Sequence, residues 1–281
     1  MILRKPYLSG SWYPASAEET ALFLDKSVEK APAAGALAAV APHAGWFYSG
    51  ALAARAVFSL TGGDDPDTVA VIGGHLPSGA PALFAEEDGV STPLGDIFMD
   101  GELRDRMKRA LSGAPDRYRD NTVEVQLPMI KYFFPHARLL WLRLPAEASS
   151  LEAGKLLASL AGELSRKLAV LASTDLTHYG ENYGFMPRGA GKRALDWVRE
   201  NNDAGFIAAV EAGDAALLLE QAEPGRAACS AGAVLGALGF ARSLGAAGAR
   251  LLGYATSADA DGPENGGVPP SFVGYAAMAW Y

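Results

Sequence analysis

The 281-residue chain carries a single cysteine, Cys229, so no intrachain disulfide holds it together. It has 24 Lys and Arg residues against 32 Asp and Glu, a net charge of −8, and the cations are scattered rather than gathered into a stripe or tail. Nucleic acid and anionic membrane surfaces are therefore poor partners, and small molecules or proteins better ones. No apolar run approaches the roughly 20 residues needed to span a bilayer. The opening MILRKPYLSGSWYP lacks the apolar core and cleavage site of a secretory signal. The expectation is a soluble, cytoplasmic protein. Dinucleotide fingerprints, phosphate loops, solenoid repeats and coiled-coil heptads are all missing, which removes the common nucleotide-driven schemes and the repeat architectures. What is abundant is apolar surface: 49% of positions are hydrophobic, enough for a sizeable core in one domain spanning 1–281.

Strand-like and helix-like segments alternate. Ser16 and Glu19 form a capping box for a helix that runs to Lys30. Buried strands are expected near 36–41, 68–72, 139–144 and 168–172, with helices near 51–60, 102–111, 123–134 and 151–167 between them. HAGWFYSG reads as a glycine-punctuated loop, Gly73-Gly74 as a tight turn, and AEEDGVSTPLGDIFMDG as a hairpin near a substrate mouth. Beyond His178, the Gly- and aromatic-rich segment 179–191 suits a lid. Helices are expected over 193–219 and 230–244, and strands near 251–256 and 272–280 flank an exposed Gly/Pro-rich loop. Ala-rich stretches such as GALGFARSLGAAGAR suit close helix packing. This order predicts an α/β fold with a central mixed, largely parallel sheet sandwiched between helix layers.

Three of the four histidines stand where an apolar strand-like run stops: LAAVAP leads to His43, VAVIGG to His75, and LAVLAST to Asp175 and His178. Open α/β sheets gather their chemistry at the carboxyl ends of their strands, so these residues are expected along one edge. Cys229 precedes an apolar helical pattern and reaches the same edge from a helix start, where partial positive charge favours the thiolate. Two imidazoles and a thiolate make a metal site. Each residue also has a plainer reading: His43 as a buried, carbonyl-bonded ring, His75 as a solvated turn, Asp175 as a helix N-cap, Cys229 as a small core hydrophobe. Asp175 and His178 read as an acid/base pair. Glu124 and Gln126 sit at a probable helix start, as caps or as support behind ligands. Trp12, Tyr13, Trp46, Tyr48 and Tyr179 are candidates to wall a pocket for a planar substrate, or plain core.

GSWYP at 10–14, APHAGWFYSG around His43, GGH at 73–75, DNTVEVQLP from Asp120, STDLTHYG from Ser173 and the small-residue setting of Cys229 occur in an order that resembles the Memo family, whose microbial members are often labelled AmmeMemoRadiSam system protein B. The resemblance spans nearly the whole chain. It implies a fold similar to the catalytic subunits of class III extradiol dioxygenases and a metal site of His43, His75 and Cys229, with iron or copper as the family's candidates. Ligand softness adds zinc. Asp175 and His178 would lie beside the metal, with Trp46, Tyr48, Asn121, Glu124 and Tyr179 around the substrate or behind the ligands. Family association also implies a functional link to a radical SAM enzyme. Where many relatives carry Glu-His-Ser before the helix glutamate, this chain has Asp120-Asn121-Thr122, and an asparagine cannot take up a proton near neutral pH.

These features lead to a nonheme Fe(II)-dependent oxygenase acting on a small phenolic or indolic substrate, with His178, supported by Asp175, moving a proton. Two alternatives stand beside it: a hydrolase using Cys229 as nucleophile with His43 or His178 as base, and a metal-binding regulatory protein that keeps an enzyme-like pocket.

Overall fold

Residues whose side chains are buried on both faces of a sheet read as continuous apolar runs, and four such runs form the parallel middle of the sheet. The computed structural model describes residues 1–29, 34–246, 248–260 and 267–281. In chain order its strands are β1 Leu3–Arg4, β2 Ala38–Ala41, β3 Thr68–Gly73, β4 Leu83–Phe84, β5 Gly89–Thr92, β6 Gly95–Phe98, β7 Ala114–Pro115, β8 Arg138–Arg143, β9 Leu168–Ser173, β10 His178–Gly180, β11 Ala249–Thr256 and β12 Ser271–Trp280. The large sheet follows the order β10-β12-β2-β9-β3-β8-β4-β7, with β11 also on β12. It is parallel through β2-β9-β3-β8 and antiparallel where β12 meets β2, β10 and β11 and where β4 meets β8. A mixed sheet with a parallel centre is thus the architecture.

Side chains alternate between two cores with the period of two that a strand imposes. Val40, Ile72, Leu140 and Val170 face one core, closed by helices Ser149–Glu163, Asp203–Ala212, Ala215–Ala222 and Ala231–Ser243. Ala39, Val71, Leu139 and Leu171 face the other, closed by helices Ala17–Val28, Trp46–Ser59 and Leu127–Phe133. Small residues let the first layer close up. A Cβ on Gly154 would collide with the Gly236 carbonyl oxygen, and one on Gly239 with that of Leu151, so Ser149–Glu163 and Ala231–Ser243 cross at backbone contact.

Several local expectations are revised. HAGWFYSG is not all loop: the helix starts at Trp46, with Gly45 as its N-cap. Only half of the Ser16–Glu19 capping box forms: Ser16 Oγ accepts Glu19 N–H at 3.2 Å, but the Glu19 carboxylate accepts the Ser16 hydroxyl rather than its backbone N–H; the helix stops at Val28, and Lys30 lies outside the described residues. The hairpin β5–β6 forms, yet it joins β1 in a separate three-stranded sheet and lines no part of the main cleft described below. The helical region after Arg193 is broken: Asp214 caps a new helix after Gly213, whose φ of 67° ends the preceding one. Part of the Gly/Pro-rich loop, 261–266, also lies outside the described residues. Among the described residues no helix is long and apolar enough to cross a membrane.

Candidate functional site

Neighbouring parallel strands β2, β9 and β3 end at one edge, and each delivers a polar residue two positions later: His43 after Ala41, Asp175 after Ser173, His75 after Gly73. The helix Ala231–Ser243 packs along the same strands and brings Cys229 to this edge from its N-terminal side. Backbone and side chain fix it there. Cys229 N–H donates to the Asp175 carbonyl oxygen at 3.2 Å, and Ser230 N–H donates to Thr174 Oγ1 at 3.1 Å.

His43 is 1% exposed. Its Nε2 stands 3.2 Å from Cys229 Sγ and its Nδ1 3.1 Å from Ser173 Oγ. The Ser173 hydroxyl also receives Gln126 Nε2 at 3.1 Å, and the same amide donates to the Pro42 carbonyl oxygen at 2.8 Å. Gln126 therefore anchors the loop and the hydroxyl that holds the ring. His75 is the exposed member, in the left-handed region at φ 56°, a conformation non-glycine residues hold only when neighbours enforce it. Asp120 enforces it, with Oδ2 3.0 Å from His75 Nδ1 and 3.2 Å from Arg143 Nη2. The glycines before it serve a different purpose from the expected turn. Neither has positive φ; a Cβ on Gly73 would collide with Thr122 Oγ1, and one on Gly74 with the Ser230 side chain. They let the Asp120 and Cys229 segments close on His75.

The side-chain donor atoms of His43, His75 and Cys229 all lie within 4.8 Å of one another, and the two rings meet edge to face with centroids 4.9 Å apart. Charge is shared through the cluster. Burial opposes ionisation of the thiol, but the two imidazoles beside it hold Cys229 well below its ordinary value. Burial likewise opposes the imidazolium forms, yet Cys229 and Asp175 raise His43 above the usual imidazole range. For His75, Asp120 and Cys229 outweigh burial and raise it to about 10.

Asp175 does not pair with His178. Its Oδ1 accepts the His43 backbone N–H at 2.7 Å, and burial pushes its carboxyl pKa up. Instead, His178 Nδ1 faces the Leu176 carbonyl oxygen at 3.1 Å. A carbonyl only accepts, so Nδ1 carries the proton and Nε2 of the neutral ring is a base. Carboxylate and imidazole interact through space only, because the 174–177 turn spends Asp175 on the His43 backbone.

A cleft of about 600 Å³ opens over the cluster, lined by His43, His75, Asp175, His178 and Asn121 and rimmed by Trp12, Tyr48 and Tyr183. Asn121 Nδ2 donates to the His43 carbonyl oxygen at 2.9 Å, so it fixes the histidine's backbone. Four expected wall or support residues lie elsewhere, Tyr13 among them, buried in the core beside Trp46. Trp46 is core, its Nε1 donating to the Val125 carbonyl oxygen. Tyr179 is buried, stacked on Phe272 and donating its hydroxyl to the Gly189 carbonyl oxygen. Glu124 contacts none of the three cluster residues; its Oε1 accepts from Tyr7 N–H, Leu8 N–H and the Tyr13 hydroxyl, tying the amino-terminal segment down. The segment 179–191 contributes only Asn182 and Tyr183 before turning away from the cleft. Asp120, Arg143, Tyr183 and Tyr275 were not singled out as site residues. A signal for Arg143 existed: a cation closing the apolar strand RLLWLR at the same edge, now 3% exposed and bonded to Asp116, Asp120 and the Gly74 carbonyl.

Fold and cleft together define an α/β protein whose parallel strands and one helix start gather two imidazoles and a thiol at one sheet edge, the two imidazoles lining an open cleft. A family profile described as Memo-like protein matches residues 4–279, and the chain belongs to that family. Its relatives include MEMO1 family proteins of Pyrobaculum arsenaticum, 30% identical over 100% of both chains, and Thermococcus kodakarensis, 30% identical over 99% of both. One from Methanosarcina mazei is 30% identical over 99% of both chains. Among solved structures, an uncharacterized protein from Escherichia coli K12 aligns with 76% of this chain and 86% of its own, at a TM-score of 0.45 and 10% identity.

Proposed function

We propose that this Memo-family chain is a single-domain, nonheme metal-dependent oxygenase of small phenolic or indolic molecules, with His43, His75 and Cys229 as metal ligands. The observation that carries the reading is convergence: one buried ring, one exposed ring and one half-buried thiol bring their donor atoms within 4.8 Å. Ligand atoms around one tetrahedral ion at metal–nitrogen and metal–sulfur lengths of about 2.1 and about 2.3 Å stand roughly 3.6 Å apart. The 3.2 Å separation of His43 Nε2 and Cys229 Sγ fits that spacing. The arrangement behind the ligands fits too, since a carboxylate on the far nitrogen of a ligating histidine fixes its tautomer, as Asp120 does for His75. Three protein ligands beside an open cleft leave room for a substrate atom. Iron is the leading metal, with copper or zinc as alternatives on donor softness.

Bound metal would supply Lewis-acid and redox chemistry. The remaining work falls to the chain. Trp12 and Tyr48 flank a planar substrate at the rim, and His178 Nε2 accepts the proton of its hydroxyl or ring N–H. Tyr183, edge-on to His178 with centroids 5.0 Å apart, holds that ring in place. Family association adds a radical SAM enzyme as a functional partner in the cytoplasm. Oxygen consumption by anaerobically iron-loaded protein, offered a panel of catechols, phenols and indoles, tests the reading. Uptake that depends on one substrate class and is lost in His178→Ala supports it, and no uptake with any member contradicts it.

A second reading has its own observation. A thiolate 3.2 Å from an imidazole nitrogen is the pairing a cysteine nucleophile uses. Hydrolysis of activated esters by metal-free protein, abolished by one equivalent of iodoacetamide, favours it over the oxygenase. Asn121 favours a third, a metal-binding regulatory role, because the family's histidine position here holds a backbone and has no proton to exchange near neutral pH.

A further inference from the structure

The three donor side chains do not open onto the same space. His43 lines the main cleft, Cys229 lines a second, smaller cleft of about 340 Å³, and His75 lines both. The second cleft lies behind the cluster, between the loop that follows β3 and the segment that leads into the helix Ala231–Ser243. Its walls include Pro77, Ala146, Ala222 and Ala228, and among the described residues no Lys or Arg lines it. Its titratable lining residues are His75, Cys229 and the exposed Glu223. Small side chains keep the passage open, and the one carboxylate at its wall attracts cations.

We propose that this second cleft is the port through which a divalent transition-metal cation reaches and leaves the His43–His75–Cys229 cluster, with Glu223 as the carboxylate that first receives it. The inference rests on the metal reading above and adds a division of labour between two mouths. An organic substrate fills the main cleft over His43 and His178, and the thiol side stays open for exchange. Binding deprotonates the cluster and releases those protons to solvent, with no change of oxidation state. Because a route affects rates in both directions equally, narrowing the port changes how fast the ion exchanges and not how tightly it is held.

The test follows cobalt(II) uptake by metal-free full-length protein through its thiolate absorption band, and release to excess chelator. Ala146→Trp, or Pro77→Trp at an exposed wall position should the first fail to fold, narrows the port; Pro269→Trp narrows the main cleft instead. The proposal expects uptake and release each slowed about tenfold or more by the port variants at unchanged affinity, with wild-type rates in Pro269→Trp. Uptake in Glu223→Gln falls several-fold. Slowing confined to Pro269→Trp, or equal rates in all variants, overturns it. Failure of wild type to bind cobalt, iron or zinc overturns both this proposal and the metal reading. Methanethiosulfonate labelling of Cys229 separates the two: slower labelling in the port variants still establishes the second mouth.

Discussion

Asp120→Asn isolates what lies behind the proposed ligands. Asp120 caps the short helix Asn121–Glu124, its Oδ1 accepting Thr122 N–H at 2.9 Å, while Oδ2 receives His75 and Arg143. Asparagine caps a helix about as well as aspartate, so the local fold survives. Arg143 also keeps Asp116 at 3.3 Å and the Gly74 carbonyl at 2.9 Å. The change therefore falls on His75. With Oδ1 on the cap, the amide Nδ2 takes the place of Oδ2 and presents a donor to Nδ1. The ring then either loses this bond or swaps tautomer, putting its proton on Nε2 and removing that lone pair from the cluster. Losing such a partner typically weakens metal binding 10- to 100-fold, about 1.4–2.8 kcal/mol. Chelator-competition titrations of Fe(II) and Zn(II) under nitrogen read the affinity, and thermal melts of the metal-free proteins check the fold. Affinity within threefold of wild type, at an unchanged melting temperature, refutes the reasoning. Asp120→Ser keeps the cap, removes the acceptor and gives the same loss.

Other expectations concern stability. Glu124→Ala leaves the Tyr7 and Leu8 N–H groups and the Tyr13 hydroxyl without their acceptor, which costs roughly 3–5 kcal/mol by urea denaturation; a loss under about 1 kcal/mol would show water replaces the carboxylate. Gly154→Ala forces apart the two glycine-crossed helices and costs about 2–3 kcal/mol, and an unchanged melting temperature contradicts the close approach. Burial raises Asp203 to about 6 despite hydrogen bonds from Thr177 and Tyr254. An acid whose folded pKa is raised stabilises fully below its unfolded value, near 4, and that contribution is lost as pH rises through about 6, on the order of 3 kcal/mol. In Asp203→Asn the fall between pH 4 and 6 shrinks by that amount, and an identical slope contradicts the assignment.

The middle of the fold was legible because fully buried parallel strands leave unbroken apolar runs, and LAAVA, TVAVIG and LAVLAS each mark where a strand stops and a polar landing begins. His43 and His75 were legible for the same reason, since strand ends in a parallel sheet share an edge, and Cys229 by its place just before an apolar helical run. Side-chain direction was not. Trp46 and Tyr48 are two apart on one helix, about 200° around its axis, so one enters the core and the other meets the cleft. Asp175 and His178 stand close in sequence but the turn between them sends the carboxylate to His43. Gly73 and Gly74 signalled a special backbone position; that they admit Thr122 and Ser230, side chains 49 and 156 residues away, depends on contacts no local pattern encodes. Arg143 could be placed at the edge from the strand it closes, but its partners, and the role of Asp120, exist only once β8 and the Asn121 helix start are side by side.

The central claim is that His43, His75 and Cys229 hold one metal ion. Element-resolved metal content of protein purified without oxygen, for wild type beside His75→Ala and Cys229→Ser, tests it most directly. The account predicts about one iron, copper or zinc per wild-type chain and almost none in either variant. Wild type that is metal-free and refuses added iron, copper and zinc, or variants that keep a full complement, would contradict it.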